Sequence, residues 1–165
     1  MASDAEITPP LYFLLAKAST VFGSNPDLIR LPSLIAGIAM IGVMQQIAVR
    51  LFDRRTEILV AALVSLSPLL VYFSANARAY SLMMLFLALA ILAVLLAAGS
   101  GRNWWWALYA VGIAAAMYTH YTAIFLIGGF FLWAFFALPE LRKALLLASF
   151  AGALLFLPWL PDWID

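Results

Sequence analysis

Ala79-Tyr80-Ser81-Leu82-Met83-Met84-Leu85-Phe86-Leu87-Ala88-Leu89-Ala90-Ile91-Leu92-Ala93-Val94-Leu95-Leu96-Ala97-Ala98 carries no charged residue from end to end. A helix of about twenty residues reaches about 30 Å, the thickness of a bilayer's hydrocarbon core. Similar apolar runs flank it, so spans are expected near 31–49, 58–75, 79–98, 104–118, 122–138 and 144–160. Their breaks are chemical. Arg50-Leu51-Phe52-Asp53-Arg54-Arg55, Ser74-Ala75-Asn76-Ala77-Arg78 and Gly99-Ser100-Gly101-Arg102-Asn103 are charged, polar or flexible. Thr119-His120-Tyr121 and Pro139-Glu140-Leu141-Arg142-Lys143 interrupt the rest. No run alternates apolar and polar as a barrel strand does, and an open sheet leaves unpaired edges in lipid. The fold class read here is all-α: a polytopic transmembrane helix bundle of about six spans, plus an N-terminal interfacial helix.

Composition excludes the other classes. Of 165 residues, 67% are hydrophobic and 10% charged, and the mean hydropathy is +1.05. A soluble domain is about 45–50% apolar and about 25% charged. Too few polar side chains exist to cover a water-facing surface. A net charge of +1 offers no basic field for nucleic acid. With no cysteine there is neither a disulfide framework nor a thiolate metal site.

Orientation follows from the cations in alternate loops. Arg50, Arg54, Arg55, Arg102, Arg142 and Lys143 fall on one side; Lys17, Arg30 and Arg78 fall on the other. The first side is therefore expected to be cytoplasmic, with both termini outside. Trp104, Trp105 and Trp106 at one boundary, and Trp159 and Trp163 at the other, suit the interfacial belt. Residues 1–8 carry Asp4 and Glu6 but no basic stretch, so they do not read as a signal peptide. The apolar stretch from Pro9 to Phe22 is short and contains Lys17, which suits a helix at 8–22 lying in the outer interface. An external N-terminus then leads one to expect a further helix upstream of Met1.

Polar groups inside apolar segments are costly and tend to face a cavity or pathway. Asp4 and Glu6, ahead of Thr8-Pro9-Pro10, have the chemistry of a general base or metal ligand; they equally suit a solvated tail before a helix. Asn76-Ala77-Arg78-Ala79-Tyr80 places a guanidinium able to grip a phosphate beside a phenolic hydroxyl, or an arginine snorkelling to headgroups. Tyr118-Thr119-His120-Tyr121-Thr122 holds the only histidine. It suits phosphate or sugar hydroxyls, or a simple turn between helices. Asn25-Pro26-Asp27-Leu28-Ile29-Arg30-Leu31-Pro32-Ser33 reads as a turn and helix start.

Taken in order, these pieces resemble the multi-span glycosyltransferases of the GT-C type, above all the protein mannosyltransferase (glycosyltransferase family 39) and lipopolysaccharide sugar-transferase groups. The likeness rests on Thr8-Pro9-Pro10-Leu11-Tyr12-Phe13-Leu14-Leu15, Phe22-Gly23, Leu28-Ile29-Arg30-Leu31-Pro32-Ser33-Leu34-Ile35-Ala36-Gly37, Leu66-Ser67-Pro68-Leu69-Leu70-Val71-Tyr72, Ala77-Arg78-Ala79-Tyr80-Ser81-Leu82 and Tyr118-Thr119-His120-Tyr121. The resemblance implies a transferase of the inner (plasma) membrane, active on its extracytoplasmic face. It would move a sugar from a polyprenyl-phosphate donor to a glycan, lipid or protein acceptor. Such enzymes usually deprotonate the acceptor with an acid in the first external loop. Around the donor phosphate and substrate it implies Arg78, with Tyr80, His120 and Tyr121, and more peripherally Asn76 and Thr8. It fixes no cofactor and is compatible with a divalent metal.

Two positions depart from the pattern: Thr8 stands where many relatives have His or Lys, and Asn76 where many have Glu. In the family a helix and an acidic pair precede the Pro-Pro segment. The chain therefore resembles an N-terminal part of the membrane domain without the usual catalytic acid, and that role is not transferred to Asp4 or Glu6. A small transporter or flippase, or a non-catalytic membrane subunit, are the alternatives. A transporter would need midplane polar groups and internal repeats, neither of which is visible.

Overall fold

The computed structural model describes residues 9–23 and 25–159. Among them there is no strand. Eight α-helices follow one another: α1 (Leu11–Ser19), α2 (Leu31–Leu51), α3 (Arg54–Leu66), α4 (Pro68–Ala75), α5 (Tyr80–Ser100), α6 (Trp104–Thr119), α7 (Ala123–Ala137) and α8 (Arg142–Phe156). Short 3-10 turns cover Thr20–Phe22, Pro26–Arg30, Pro139–Leu141 and Leu157–Trp159.

Local chemistry sets the boundaries. Pro32 sits in the first turn of α2, where its missing N–H costs nothing. Asp53 caps α3, accepting from the Thr56 backbone N–H and the Thr56 hydroxyl, each at 2.7 Å. These bonds favour the ionised carboxylate and hold Asp53 below its ordinary pKa. Gly101 ends α5 in the left-handed region (φ +65°), its N–H bonded to the Ala97 carbonyl at 2.9 Å.

The segment expected as one span at 58–75 is two helices. Pro68 has no N–H to donate and forces Ser67 into an extended conformation. The helix stops at Leu66, restarts at Pro68 and bends by 56°. Ser67 recaps the second half by accepting from the Leu70 N–H.

Among the described residues three helical stretches are long and apolar enough to cross a membrane: Asp27–Leu51, Tyr80–Ser100 and Pro139–Trp159. The bent α3–α4 pair makes a fourth if it is one span. Helices also occupy the remaining two segments, but α6 and α7 have 16 and 15 residues, about 24 and 22 Å at 1.5 Å per residue.

The bundle centres on α5, which packs between α2 and α6. Small residues let the backbones close: Ala88, Ala90, Ala93 and Ala97 on α5, and Ala110, Ala114 and Ala116 on α6, are buried. A Cβ on Gly152 of α8 would lie 2.5 Å from the Ile113 side chain and 2.9 Å from the Ala110 carbonyl of α6. Gly37 of α2 meets Ser74 of α4 with no room for a Cβ. Large apolar side chains point outward instead, among them Phe125, Leu132 and Phe136 on α7 and Leu63, Leu66 and Leu69 around the α3–α4 break. In water that surface would be a severe liability; in lipid it is solvated.

Candidate functional site

Successive long helices run antiparallel, so the starts of α2, α5 and α7 and the ends of α4, α6 and α8 gather at one end of the bundle. That end receives Asn76, Arg78, Tyr80, His120 and Tyr121. Asp4, Glu6 and Thr8 lie outside the described residues.

The α4–α5 link turns tightly: the Arg78 N–H donates to the Asn76 carbonyl at 2.8 Å. Asn76 turns its side-chain amide back onto the end of α4, donating to the Tyr72 carbonyl at 2.7 Å. The Arg78 side chain is exposed and makes no ion pair among the described residues. Asp27, the one described carboxylate at this end, is committed to Arg30 at 3.2 Å.

Arg78 is held by its backbone. Ser33, fully buried near the start of α2, donates its hydroxyl proton to the Arg78 carbonyl at 2.9 Å. Its oxygen also lies 3.2 Å from the Tyr12 hydroxyl, and Tyr12 donates to the Ile29 carbonyl at 3.2 Å. One small polar node thus ties α1, the turn before α2 and the α4–α5 link together. The sequence shows Ser33 as part of a helix start, and nothing in its spacing announces a partner 45 residues away.

Two residues beyond Arg78, the Tyr80 ring lies against His120 with centroids 4.7 Å apart. Its opposite neighbour is Phe73, at 4.8 Å. The three rings bring the ends of α4 and α6 onto the start of α5. His120 stands just beyond α6, where Nδ1 accepts from the Thr122 backbone N–H at 3.2 Å and faces the Thr122 hydroxyl at 2.9 Å. Partial burial pushes its pKa below the ordinary value. Since a backbone N–H can only donate, Nδ1 is the acceptor, and the neutral ring keeps its proton on Nε2. His120 is therefore a neutral hydrogen-bond donor held by two contacts from its own turn. Tyr121 accepts from the Trp159 indole N–H at 3.0 Å, bringing the end of α8 to the same place. Phe73 and Trp159 join the site only through the fold; as sequence, one belongs to an apolar run and the other to an interfacial boundary.

Beneath this end lie two apolar cavities. One, of about 230 Å³, sits between α2, α4 and α5, where Ser74 and Ser81 are its polar lining near the Arg78 end. The other, of about 500 Å³, lies between α6, α7 and α8. No three His, Asp or Glu side chains among the described residues converge in a way that would hold a metal.

These features amount to an unpaired cation and a neutral imidazole donor at the mouth of an apolar bundle. Both are hydrogen-bond donors of the kind that suit anionic oxygens. The family of dolichyl-phosphate-mannose-protein mannosyltransferases matches residues 7–162. No curated protein and no solved structure matches the chain. The chain belongs to the dolichyl-phosphate-mannose-protein mannosyltransferase family, and is an integral membrane protein of the glycosyltransferase type.

Proposed function

We propose that the chain forms part of a glycosyltransferase of the plasma (inner) membrane, with the Arg78 end on the extracytoplasmic face. In this reading it moves a sugar from a polyprenyl-phosphate donor to a glycan, lipid or protein acceptor. The observation that carries the reading is the family match along nearly the whole chain, joined to an unpaired Arg78 beside the Tyr80–His120 stack.

The chemistry assigns the parts. An acceptor hydroxyl oxygen attacks the anomeric carbon, and the bond from that carbon to the phosphate oxygen breaks. The electron pair leaves with the polyprenyl phosphate, and the hydroxyl proton passes to a base. Arg78 stabilises the charge that grows on the leaving phosphate, which is what a guanidinium does best. The Nε2–H of His120 and the hydroxyls of Tyr80 and Tyr121 stand nearby to orient phosphate or sugar oxygens. With Asp27 paired to Arg30, the base is sought in Asp4 or Glu6, or in a segment supplied by another chain. A divalent metal enters only if those carboxylates are joined by others.

A transfer assay in membranes with a labelled polyprenyl-phosphate sugar tests this. Arg78→Gln is expected to lower kcat/KM about ten- to hundredfold, the range for losing a charge-assisted hydrogen bond in a desolvated site. Transfer that is unaltered by Arg78→Gln would remove Arg78 from the donor site.

A further inference from the structure

The opposite end of the bundle carries Arg50, Arg54, Arg55, Arg102, Arg142 and Lys143, and none of them makes an ion pair with any described residue. Two of the helices that begin there are neighbours running in parallel. The Tyr109 hydroxyl of α6 meets the Ser149 hydroxyl of α8 at 3.0 Å, and further along the Tyr118 hydroxyl donates to the Leu155 carbonyl at 3.1 Å. Their starts therefore sit side by side, and so do the positive ends of their dipoles.

Ordinary helix starts relieve that charge with a capping side chain or an acid in the first turn. Here α6 has neither, and α8 itself has neither; the acid nearby is Glu140, in the 3-10 turn that leads into α8. Cations stand there instead: Arg102 precedes α6, and Arg142 and Lys143 open α8. Such a placement lowers the stability of each isolated helix and concentrates positive potential at one spot. Glu140, nearby in sequence, pairs with none of them.

Directly below runs a cleft of about 420 Å³ between the two helices. Asn103 and Ala144 line it at the helix starts, and Trp106, Ala110, Leu147 and Ala148 line it further down. Only Asn103 among its lining residues has a polar side chain other than the Trp106 indole. An apolar groove with a cationic mouth complements one kind of molecule: a negatively charged headgroup on a hydrocarbon chain. The geometry points to a binding site for an anionic phospholipid here, with its phosphate between Arg102 and Lys143 and an acyl chain along the α6–α8 cleft. It lies at the end of the bundle opposite Arg78 and does not rest on the transferase reading.

The test reconstitutes the full chain in nanodiscs of mixed phosphatidylglycerol and phosphatidylcholine and measures the lipid retained by mass spectrometry. The chain should hold phosphatidylglycerol above its bulk fraction. The double variant Arg102→Gln/Lys143→Gln should lower that enrichment by up to about 25-fold, at about fivefold per cation. Ala107→Phe, which fills the exposed side of the cleft and keeps every cation, should lower it as well. Lys17→Gln, a cation on α1 at the other end, should leave it unchanged. The proposal is overturned by equal retention of the two lipids. It is equally overturned if Ala107→Phe retains phosphatidylglycerol as the unaltered chain does, because the cationic surface would then be acting without the cleft.

Discussion

Ser33 illustrates how little of a site need touch the substrate. Its side chain reaches no ligand, yet its proton fixes the carbonyl of Arg78 at 2.9 Å. Replacing Ser33 with Ala leaves that part-buried carbonyl without its donor, at a cost of about 1 kcal/mol. More usefully, it frees the α4–α5 link to wander. The expected outcome is a donor KM raised several-fold with a smaller change in kcat. Tyr12→Phe keeps the Ser33–Arg78 bond and should cost stability without that KM shift. Steady-state kinetics on both variants separates positioning from stability, and an unchanged donor KM in Ser33→Ala would refute the role given to the node. At this scale the sequence was informative about residue type and silent about partners. Arg78, Tyr80, His120 and Tyr121 stand out because polar groups are rare in an apolar chain. That Tyr80 lies on His120, or that Trp159 donates to Tyr121, depends on helix pairing that no local pattern encodes.

Elements were legible to the extent that their causes are local. Charged and glycine-bearing breaks place the ends of α2, α5, α6, α7 and α8 within a few residues, because capping and hydropathy act over one turn. The break at Ser67-Pro68 was the exception. Hydropathy runs unbroken through it, so 58–75 reads as one span, and only the geometry of the proline divides it. Close approach was equally hidden: Gly152 looks like any other small residue of a membrane helix. In the structure it is where α8 meets α6, with Ile113 and the Ala110 carbonyl filling the space a Cβ would need. Gly152→Val should therefore force those helices apart and lower stability by about 1–3 kcal/mol, the usual cost of overpacking. Gly128→Val, at a position with open space around it, is its control. Thermal unfolding in detergent reads the difference, and equal losses in the two variants would contradict tight α6–α8 packing.

For the whole molecule, the cations lie unevenly between the two ends, and that asymmetry predicts which way the bundle faces. The chain has no cysteine, so single introduced thiols report topology against no background. Val21→Cys, on an exposed position between α1 and α2, should react with a membrane-impermeant maleimide on intact cells. Ser100→Cys, at the end of α5, should react only after lysis. The reverse pattern would turn the Arg78 end inward and move the proposed chemistry to the cytoplasm. Bundle and membrane class were readable from composition alone, since a chain this apolar has one solvent in which its surface is tolerable. The specific activity was not, because a sugar donor and its acceptor are chosen by contacts between distant segments, which no local pattern encodes.

The shortness of α6 and α7 has a consequence for the lipid around them. Rods of about 24 and 22 Å, if they cross a hydrocarbon layer of about 30 Å, are mismatched, and a fluid bilayer relieves mismatch by thinning locally. Headgroups flanking α7 are then drawn towards the middle of the membrane, down to the level of His120 and Tyr121 at its start. In the proposed function, a donor phosphate arriving on that side would come to the protein already lowered. The length of two helices, more than any side chain, would set the depth at which the reaction takes place.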